Sequence, residues 1–294
     1  MLRIRHLIHL LLSLWLLAVA QTGLAAPAQL ILRVDDIGMS HATNQGLQDL
    51  ADLGIPFAAS VMFTTPWYQE GVEILKQNPQ ISVGVHLTLN AEWRHYRWGP
   101  IAGRTEVPSL INETGYFYPS TAEFLAQDIN LDEVRLELEA QIKRALASGL
   151  DIAYVDYHMR TALATPELTQ VVTELAEKYR LRMSMRMGEA VMTMFDVPVA
   201  EKQKRFLEHL QNGLQRDKVN VLVIHAARNQ PEMQALIDLN NPVMNSKDMQ
   251  PLVAQHRATE LEMLLSNETK QWFKSNDVEL INYHQVPNPY DKER

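Results

Sequence analysis

The sequence predicts an α/β protein whose parallel strands form a TIM-like barrel of about seven strands. Strand-like apolar runs alternate with helix-like segments along nearly the whole chain, which is typical of repeated strand–helix units with parallel strands and right-handed crossovers. The strand-like runs are apolar at almost every position, as expected for strands buried on both faces. No linker, shift in composition or internal repeat indicates a second domain.

The predicted strands are short, apolar and bounded by polar or turn-forming residues. They are AQLILRV (28–34), PFAASVMF (56–63), ISVGVHLTL (81–89), IAYVD (152–156), LRMSMRM (181–187), VNVLVIH (219–225) and VELINY (278–283). The Met-rich continuation of the fifth segment, RMSMRMGEAVMTMF, is interpreted as a flexible core strand and its exit and not as a soft-metal site.

Several helix-like segments have recognisable ends. Ser40 is expected to cap a segment that stops at Gly54, Asn130 to open LDEVRLELEAQIKRALAS, and Thr165 with Pro166 to open TPELTQVVTELAEKYR. The segment 90–120 breaks the alternation with aromatic residues, glycine and proline. A loop of that length in a barrel is more often functional than accidental, so we expect it to serve the site.

Residues 1–25 are typical of a cleaved secretory signal. Two arginines precede the apolar run 7–20, and Gly23 and Ala25 occupy the −3 and −1 positions of the expected cleavage site. An uncleaved membrane anchor is the alternative, but the run is shorter than the ~20 apolar residues that a spanning helix needs. We therefore expect one mature domain over residues 26–294, periplasmic or secreted and without a stable membrane span.

Composition excludes several classes of protein. The chain has 27 Lys and Arg against 35 Asp and Glu, and removal of the two arginines within residues 1–25 leaves 25 against 35, a net charge near −10. An acidic domain is a poor match for a nucleic-acid backbone, so no nucleic-acid partner is expected. The absence of cysteine excludes disulfides and thiolate metal sites. The sequence does not decide the oligomeric state, and a homodimer is one alternative.

Five chemically capable side chains stand at the carboxyl ends of predicted strands. Asp35 and Asp36 end the first strand, His86 ends the core of the third, His158 follows the fourth, and His225 ends the sixth. In a barrel of parallel strands these ends meet at the face that carries the active site. The five residues are therefore expected to share one pocket.

One carboxylate and two imidazoles make a three-ligand metal site that leaves positions open for water and substrate. Adjacent side chains of an extended strand point to opposite sides, so Asp35 and Asp36 are expected to do different work unless the strand bends. The economical division makes one acid a ligand and its neighbour a base or a hydrogen-bond partner of the site.

A purely structural role is the alternative for each of these residues. An Asp–Asp pair before a helix is often a cap, and a single buried histidine is often a core residue; the shared placement at strand ends argues against both. Seven other histidines lack that placement: His6, His9, His41, His95, His209, His256 and His284. The first two are expected to be removed with the signal, and the others to serve surface or packing roles. His95, in the long loop, is also a candidate for contact with a substrate.

A family resemblance rests on successive motifs between Leu30 and Tyr283. LILRVDDIGMSHATNQGLQDL, SVGVHLTLN, AYVDYH, VLVIHA and RATELEMLL…VELINY resemble the motifs of the YdjC-like carbohydrate deacetylases, a group that includes chitooligosaccharide deacetylase. The resemblance implies a deformed barrel related to the polysaccharide deacetylases. By motif it implies one divalent metal ion held by Asp36, His86 and His158, with Asp35 as the base.

The resemblance also implies a hydrolase of carbohydrate metabolism that removes acetyl groups from N-acetylated sugars or oligosaccharides, acting on a non-peptide C–N bond. Nitrogen and oxygen ligands fit Zn²⁺, and a carboxylate with water also permits Mg²⁺. Departure of a sugar amine requires a proton donor, for which His225 is the candidate.

The chain departs from the family pattern at two places. DYHMRTAL carries only His158 where relatives add further histidines, and HAARN replaces the usual Pro-Gly after His225. Arg257 matches a family Arg-x-x-Glu-Leu pattern and is expected to pair with Glu260 or Glu262 on the helix surface. Two alternatives stay open: a metal-dependent hydrolase of an ester, phosphoester or glycosidic bond, and a catalytically silent glycan-binding protein.

Overall fold

The structure is a computed structural model that describes residues 26–240 and 252–292. The predicted signal, residues 1–25, lies outside the described residues, so it stays a prediction, as does the single domain over 26–294. Among the helices that the structure describes, none is both long enough and apolar enough to cross a bilayer.

Within these described ranges, the strands are β1 (Ala28–Ile37), β2 (Phe57–Val61), β3 (Ile81–Leu87), β4 (Ile152–Tyr157), β5 (Arg182–Met183), β6 (Ala190–Thr193), β7 (Asn220–Ile224) and β8 (Val278–Leu280). The α-helices are α1 (His41–Ala51), α2 (Tyr68–Gln77), α3 (Thr121–Leu125), α4 (Leu131–Ala147), α5 (Pro166–Tyr179), α6 (Lys202–Asn212), α7 (Pro231–Gln234), α8 (Val253–Leu265) and α9 (Asn267–Ser275).

The strands form one parallel sheet in the order β5-β4-β3-β2-β1-β7-β6, and β8 pairs with β1 beside this path. The sheet curls into a half-barrel, and β5 and β6 are edges that do not pair with each other among the described residues. The predicted α/β fold, a deformed TIM-like barrel of about seven parallel strands, is confirmed. The functional strand ends therefore lie along one rim of this curled sheet.

The predicted strand 181–187 is much shorter in the structure. Only β5 remains of it, because Met185 adopts a left-handed φ of 66° and Gly188 follows with a φ of 86°. The Glu189 carboxylate accepts hydrogen bonds from the backbone N–H groups of Met185 and Met187 and stabilises this turn. The chain then re-enters the sheet as β6, a strand that the sequence analysis did not predict.

The predicted helix starts are confirmed. Ser40 accepts a hydrogen bond from the Thr43 N–H and forms a capping box at the start of α1, and Thr165 caps α5 with Pro166 as its first residue. Asn130 caps α4 through the Asp132 N–H. These caps satisfy backbone N–H groups that have no partner within the first turn of each helix. With Ser40 as its cap, α1 begins shortly after the end of β1.

The long segment 90–120 is a folded arm. The Trp98 indole donates to the Asn90 carbonyl at 2.6 Å, and the buried Glu137 carboxylate on α4 accepts the backbone N–H groups of Ile101 and Ala102 at 3.0 and 2.8 Å. These contacts hold the arm against the strand ends, which places its first residues at the rim of the sheet.

Candidate active site

The five predicted site residues lie together. Asp35 and Asp36 from β1, His86 from β3, His158 directly after β4 and His225 directly after β7 all line one cavity of about 650 Å³. Their convergence follows from the parallel sheet, since the carboxyl ends of its strands share one rim. His95 is exposed and does not line this cavity.

A bend in β1 turns both acids into the cavity. Asp36 has a left-handed φ of 63°, and the pairing of β1 with β2 shifts register between Val34 and Ile37. A residue in this conformation breaks the alternation of side chains that holds in a regular strand. Asp35 and Asp36 are consequently both buried and both line the cavity.

Asp36, His86 and His158 form a compact triangle of donor atoms. Asp36 Oδ1 lies 3.3 Å from His86 Nε2 and 3.2 Å from His158 Nδ1, and the two ring nitrogens are 3.4 Å apart. All three residues are buried. Asp36 Oδ1 has no hydrogen-bond partner, although a buried polar atom without one is rare.

This triangle fits a divalent cation. Donors bound at about 2.1 Å to one ion stand roughly 3.0 Å apart in octahedral geometry and roughly 3.4 Å apart in tetrahedral geometry. The observed separations of 3.2–3.4 Å fall in this interval. One oxygen and two imidazole nitrogens are also a donor set that Zn²⁺ and other divalent metals accept.

Arg257 is a site residue whose position the sequence analysis predicted wrongly. It is buried on α8, and its guanidinium donates to Asp36 Oδ2 at 2.6 Å, so it does not pair with Glu260 or Glu262 on the helix surface. Burial raises the pKa of the Asp36 carboxyl, but Arg257 and the two imidazoles outweigh burial and hold the pKa well below its usual range. The carboxylate is thus kept ionised, with Oδ1 directed at the histidines.

Arg33 and Asp156 form a charged group behind the triangle. Arg33 donates to both oxygens of Asp35 at 2.8 and 2.7 Å, and its Nε lies 3.3 Å from Asp156 Oδ2. That oxygen also contacts His86 Nδ1 at 3.0 Å. Burial raises the pKa of Asp156, while His86 and Arg33 lower it, and the net shift is downward. A carboxylate on the far nitrogen fixes the orientation of His86.

Arg33 and Asp156 were not predicted as site residues, although their positions in the sequence indicate such a role. Arg33 stands two residues before Asp35, and Asp156 two residues before His158. Side chains at this spacing share a face of a strand. An arginine inside an otherwise apolar strand is also unusual, because buried charges require a partner. Both observations point to an ionic group beneath the site.

Glu92 enters the site from the long arm and was also missed. Its carboxylate lies 2.8 Å from His158 Nε2, and backbone hydrogen bonds that join Arg94 to Ile237 and Leu239 to Glu92 hold it in place. Burial lowers the pKa of His158, but Glu92 and Asp36 outweigh it and raise the pKa to about 9. Glu92 therefore orients His158 as Asp156 orients His86. The arm thus contributes to the site through a contact that the spacing of residues in the sequence could not predict.

His225 follows β7, which lies on the other side of β1 from β3 and β4. Its ring packs against Phe195 at 5.3 Å between ring centres, and its Nδ1 has no hydrogen-bond partner. Its backbone N–H donates to Glu260, whose other carboxylate oxygen pairs with the fully buried Lys202 at 2.5 Å. Burial lowers the pKa of His225 to about 4, so the imidazole is neutral at pH 7.

Comparisons of sequence agree with these motifs. The profile of the YdjC-like protein family matches residues 29–275. A carbohydrate deacetylase of Thermoanaerobacter pseudethanolicus is 30% identical over 152 residues, which cover 52% of this chain and 58% of that protein, so the chain spans little more than half of that relative. A carbohydrate deacetylase of Brevibacillus brevis is 24% identical over 261 residues, which cover 88% of this chain and 99% of that protein.

A comparison of structures extends the likeness to the fold. A protein of Enterococcus faecalis described as a cellobiose-phosphate cleavage protein superposes with a TM-score of 0.69 at 25% identity, over 88% of this chain and 98% of that chain. The family profile covers most of the chain and includes all five residues of the cavity named from sequence. On this evidence the chain belongs to the YdjC-like protein family.

Proposed function

We propose that this chain is an exported, metal-dependent carbohydrate deacetylase that hydrolyses the acetamide of N-acetylated sugars or oligosaccharides. The triangle of Asp36, His86 and His158 beside the oriented carboxylate of Asp35 is the observation that carries the proposal. Relatives described as carbohydrate deacetylases support the class of substrate.

Asp36, His86 and His158 are the residues that would hold the cation. When bound, a divalent cation supplies an activated water molecule and polarises the acyl carbonyl. The donor set suits Zn²⁺, and Mg²⁺ fits if water completes its coordination. Each of these ligands is oriented by a charged partner: Asp36 by Arg257, His86 by Asp156 and His158 by Glu92.

Asp35 is assigned the role of general base. Arg33 donates to both of its oxygens, and the bend at Asp36 places the two acids in the same cavity. The Arg33 contact fixes the direction of the carboxylate, and the remaining lone pairs are free to accept the proton of the attacking water.

His225 is assigned the role of proton donor to the leaving amine. It is neutral at pH 7 because burial lowers its pKa to about 4, so it donates only after it has received the proton that Asp35 removes from the attacking water, which leaves Asp35 ionised again. Its partnerless Nδ1 is available for that transfer. The products are acetate and a sugar with a free amine.

Export rests on the signal-like pattern of residues 1–25. The proposed mature protein begins at Ala26 and acts in the periplasm or outside the cell. Mass spectrometry of the protein recovered from the periplasm tests the cleavage site: a mass that includes residues 1–25 contradicts it.

The function is tested by metal analysis together with a product screen. The purified protein is expected to contain about one divalent ion per chain, to release acetate from N-acetylglucosamine oligosaccharides, and to lose that activity with a chelator and regain it with the ion. Release of phosphate, of reducing ends or of acetate from O-acetyl esters alone would instead identify one of the other hydrolases. Binding of the oligosaccharides without any product would identify a silent glycan-binding protein.

A further inference from the structure

The turn after His158 has an unusual backbone. Met159 and Arg160 adopt left-handed φ angles of 50° and 59° in succession. For residues other than glycine this region is disfavoured by contact between Cβ and the following carbonyl. Both side chains are exposed, and Met159 retains 37% of its exposed area, so burial in the core does not compensate for the strain.

The same two side chains line the cavity of the active site. Backbone strain at a ligand-facing position is a pointer to function, because it persists only where the surroundings or selection maintain it. The strain is local to one turn, which directly follows the proposed ligand His158. The turn therefore displays Met159 and Arg160 to whatever occupies the cavity.

Arg160 differs from the other arginines of the cavity in having no partner. Arg33 pairs with Asp35, and Arg257 pairs with Asp36. The Arg160 side chain forms no hydrogen bond or ion pair with any residue in the ranges 26–240 and 252–292. It is a cation on the cavity wall whose donors are all available to a ligand.

The balance of charge limits what that ligand can be. Arg160 is the lining arginine without an acidic partner among the described residues, so it is matched to a single negative charge on a ligand. A carboxylate carries one charge and matches the planar fork of arginine with two parallel hydrogen bonds. The cavity thus suits a sugar with one carboxylate better than a sugar phosphate.

We propose that Arg160 binds a carboxylate on the substrate, so that this protein prefers N-acetylated sugars that carry a carboxylic acid over neutral ones. The substrate class rests on the proposed deacetylase function, but binding of the acid by Arg160 is measurable without turnover. Met159 supplies an apolar surface beside it for the sugar ring.

Titration calorimetry with three probes tests the inference: N-acetylmuramic acid, which has a carboxylate, N-acetylglucosamine, which lacks one, and N-acetylglucosamine 6-phosphate. The wild type is expected to bind N-acetylmuramic acid at least tenfold more tightly than the neutral sugar. Arg160→Met should abolish this preference, and Arg160→Lys should keep part of it, since lysine retains the charge and loses the fork. Arg205→Met on α6, another exposed arginine, is the matched control and should bind as the wild type does.

Several outcomes overturn the inference: no measurable binding of N-acetylmuramic acid, no preference in the wild type, an equal preference in Arg160→Met, or tighter binding of the phosphate. Thermal melting and circular dichroism check that both Arg160 variants fold. Acetate release from each sugar is measured in parallel. If binding depends on Arg160 but no sugar releases acetate, the deacetylase function is contradicted and the carboxylate site is supported. If acetate is released but binding is the same with and without Arg160, the carboxylate site is contradicted and the deacetylase function is supported.

Discussion

Arg257 donates to Asp36 Oδ2 at 2.6 Å across 221 positions of sequence. The contact leaves Oδ1 of the same carboxylate without a hydrogen-bond partner, 3.3 and 3.2 Å from the nitrogens of His86 and His158. One carboxylate thus has two different faces. One is neutralised by the protein, and the other is open to a cation.

His86→Ala is expected to lower metal content sharply while the fold is retained, because it removes one of three donors from the triangle. Metal stoichiometry by inductively coupled plasma mass spectrometry, with circular dichroism as the check on folding, measures this. His95→Ala, an exposed histidine outside the cavity, is the control and should keep its metal. Full metal content in single alanine variants of Asp36, His86 and His158 alike would show that the site is wrongly assigned.

Asp35→Asn is expected to keep the metal and to lose activity by about 10²-fold or more, the usual worth of a general base. Asparagine preserves the shape of the side chain and accepts from Arg33 through one oxygen only. Acetate release and metal content are measured on the same preparation. If metal and activity disappear together, Asp35 is a ligand.

His225→Ala is expected to damage cleavage of an acetamide far more than cleavage of an activated acetyl ester, because only the amine needs a proton to leave. Rates on both substrates and the metal content are the measurements. Equal losses on the two substrates indicate a positioning or packing role for His225. No loss on either substrate makes it an ordinary core residue.

Arg257→Met is expected to lower the free energy of unfolding by about 3–5 kcal/mol in the presence of a chelator, since it leaves the buried Asp36 carboxylate without its guanidinium partner. The matched control is Arg228→Met, which removes an exposed pair with Asp49 and should cost about 0–1 kcal/mol. Urea unfolding followed by circular dichroism measures both. Similar small losses in the two variants would mean that Asp36 does not depend on Arg257.

Arg160→Gly is expected to leave the fold as stable as the wild type or to stabilise it by up to about 1 kcal/mol, because glycine adopts a left-handed φ without strain. Arg186→Gly is the control, since Arg186 is exposed and lies outside the left-handed region; it should lose about 0.5–1 kcal/mol. Melting temperatures compare the two. Equal destabilisation would show that the turn at Arg160 stores no strain.

The position of the candidate site residues at the rim of the sheet was predictable, because each of them ends or follows an apolar run that is short enough to be a strand. Asp35, His86 and His225 were placed by this rule alone, and the parallel sheet brought them together. The rule needs only local pattern and the direction of the strands. Both are encoded within a few residues of each site.

The contacts behind the rim were not predictable in the same way. Arg257 and Glu92 reach the site from a distant helix and a loop, and the identity of a buried ion pair depends on three-dimensional placement that local periodicity does not contain. The left-handed turns at Asp36 and Met185 were also hidden, since neither aspartate nor methionine marks such a turn as glycine does. They bend β1 and cut β5 short.

The pairing of β1 has a consequence for the order in which the protein folds. Leu30 pairs with Asn220, 190 positions away, and Ala28 pairs with Val278, 250 positions away. Contacts of such separation form late, because long loops must close first. β1 can pair with β2 early, since Arg33 and Ala58 are only 25 positions apart, but its pairs with β7 and β8 form only after those later segments have been synthesised. Where export precedes folding, that delay keeps this side of the sheet open during translocation of the exported chain proposed above.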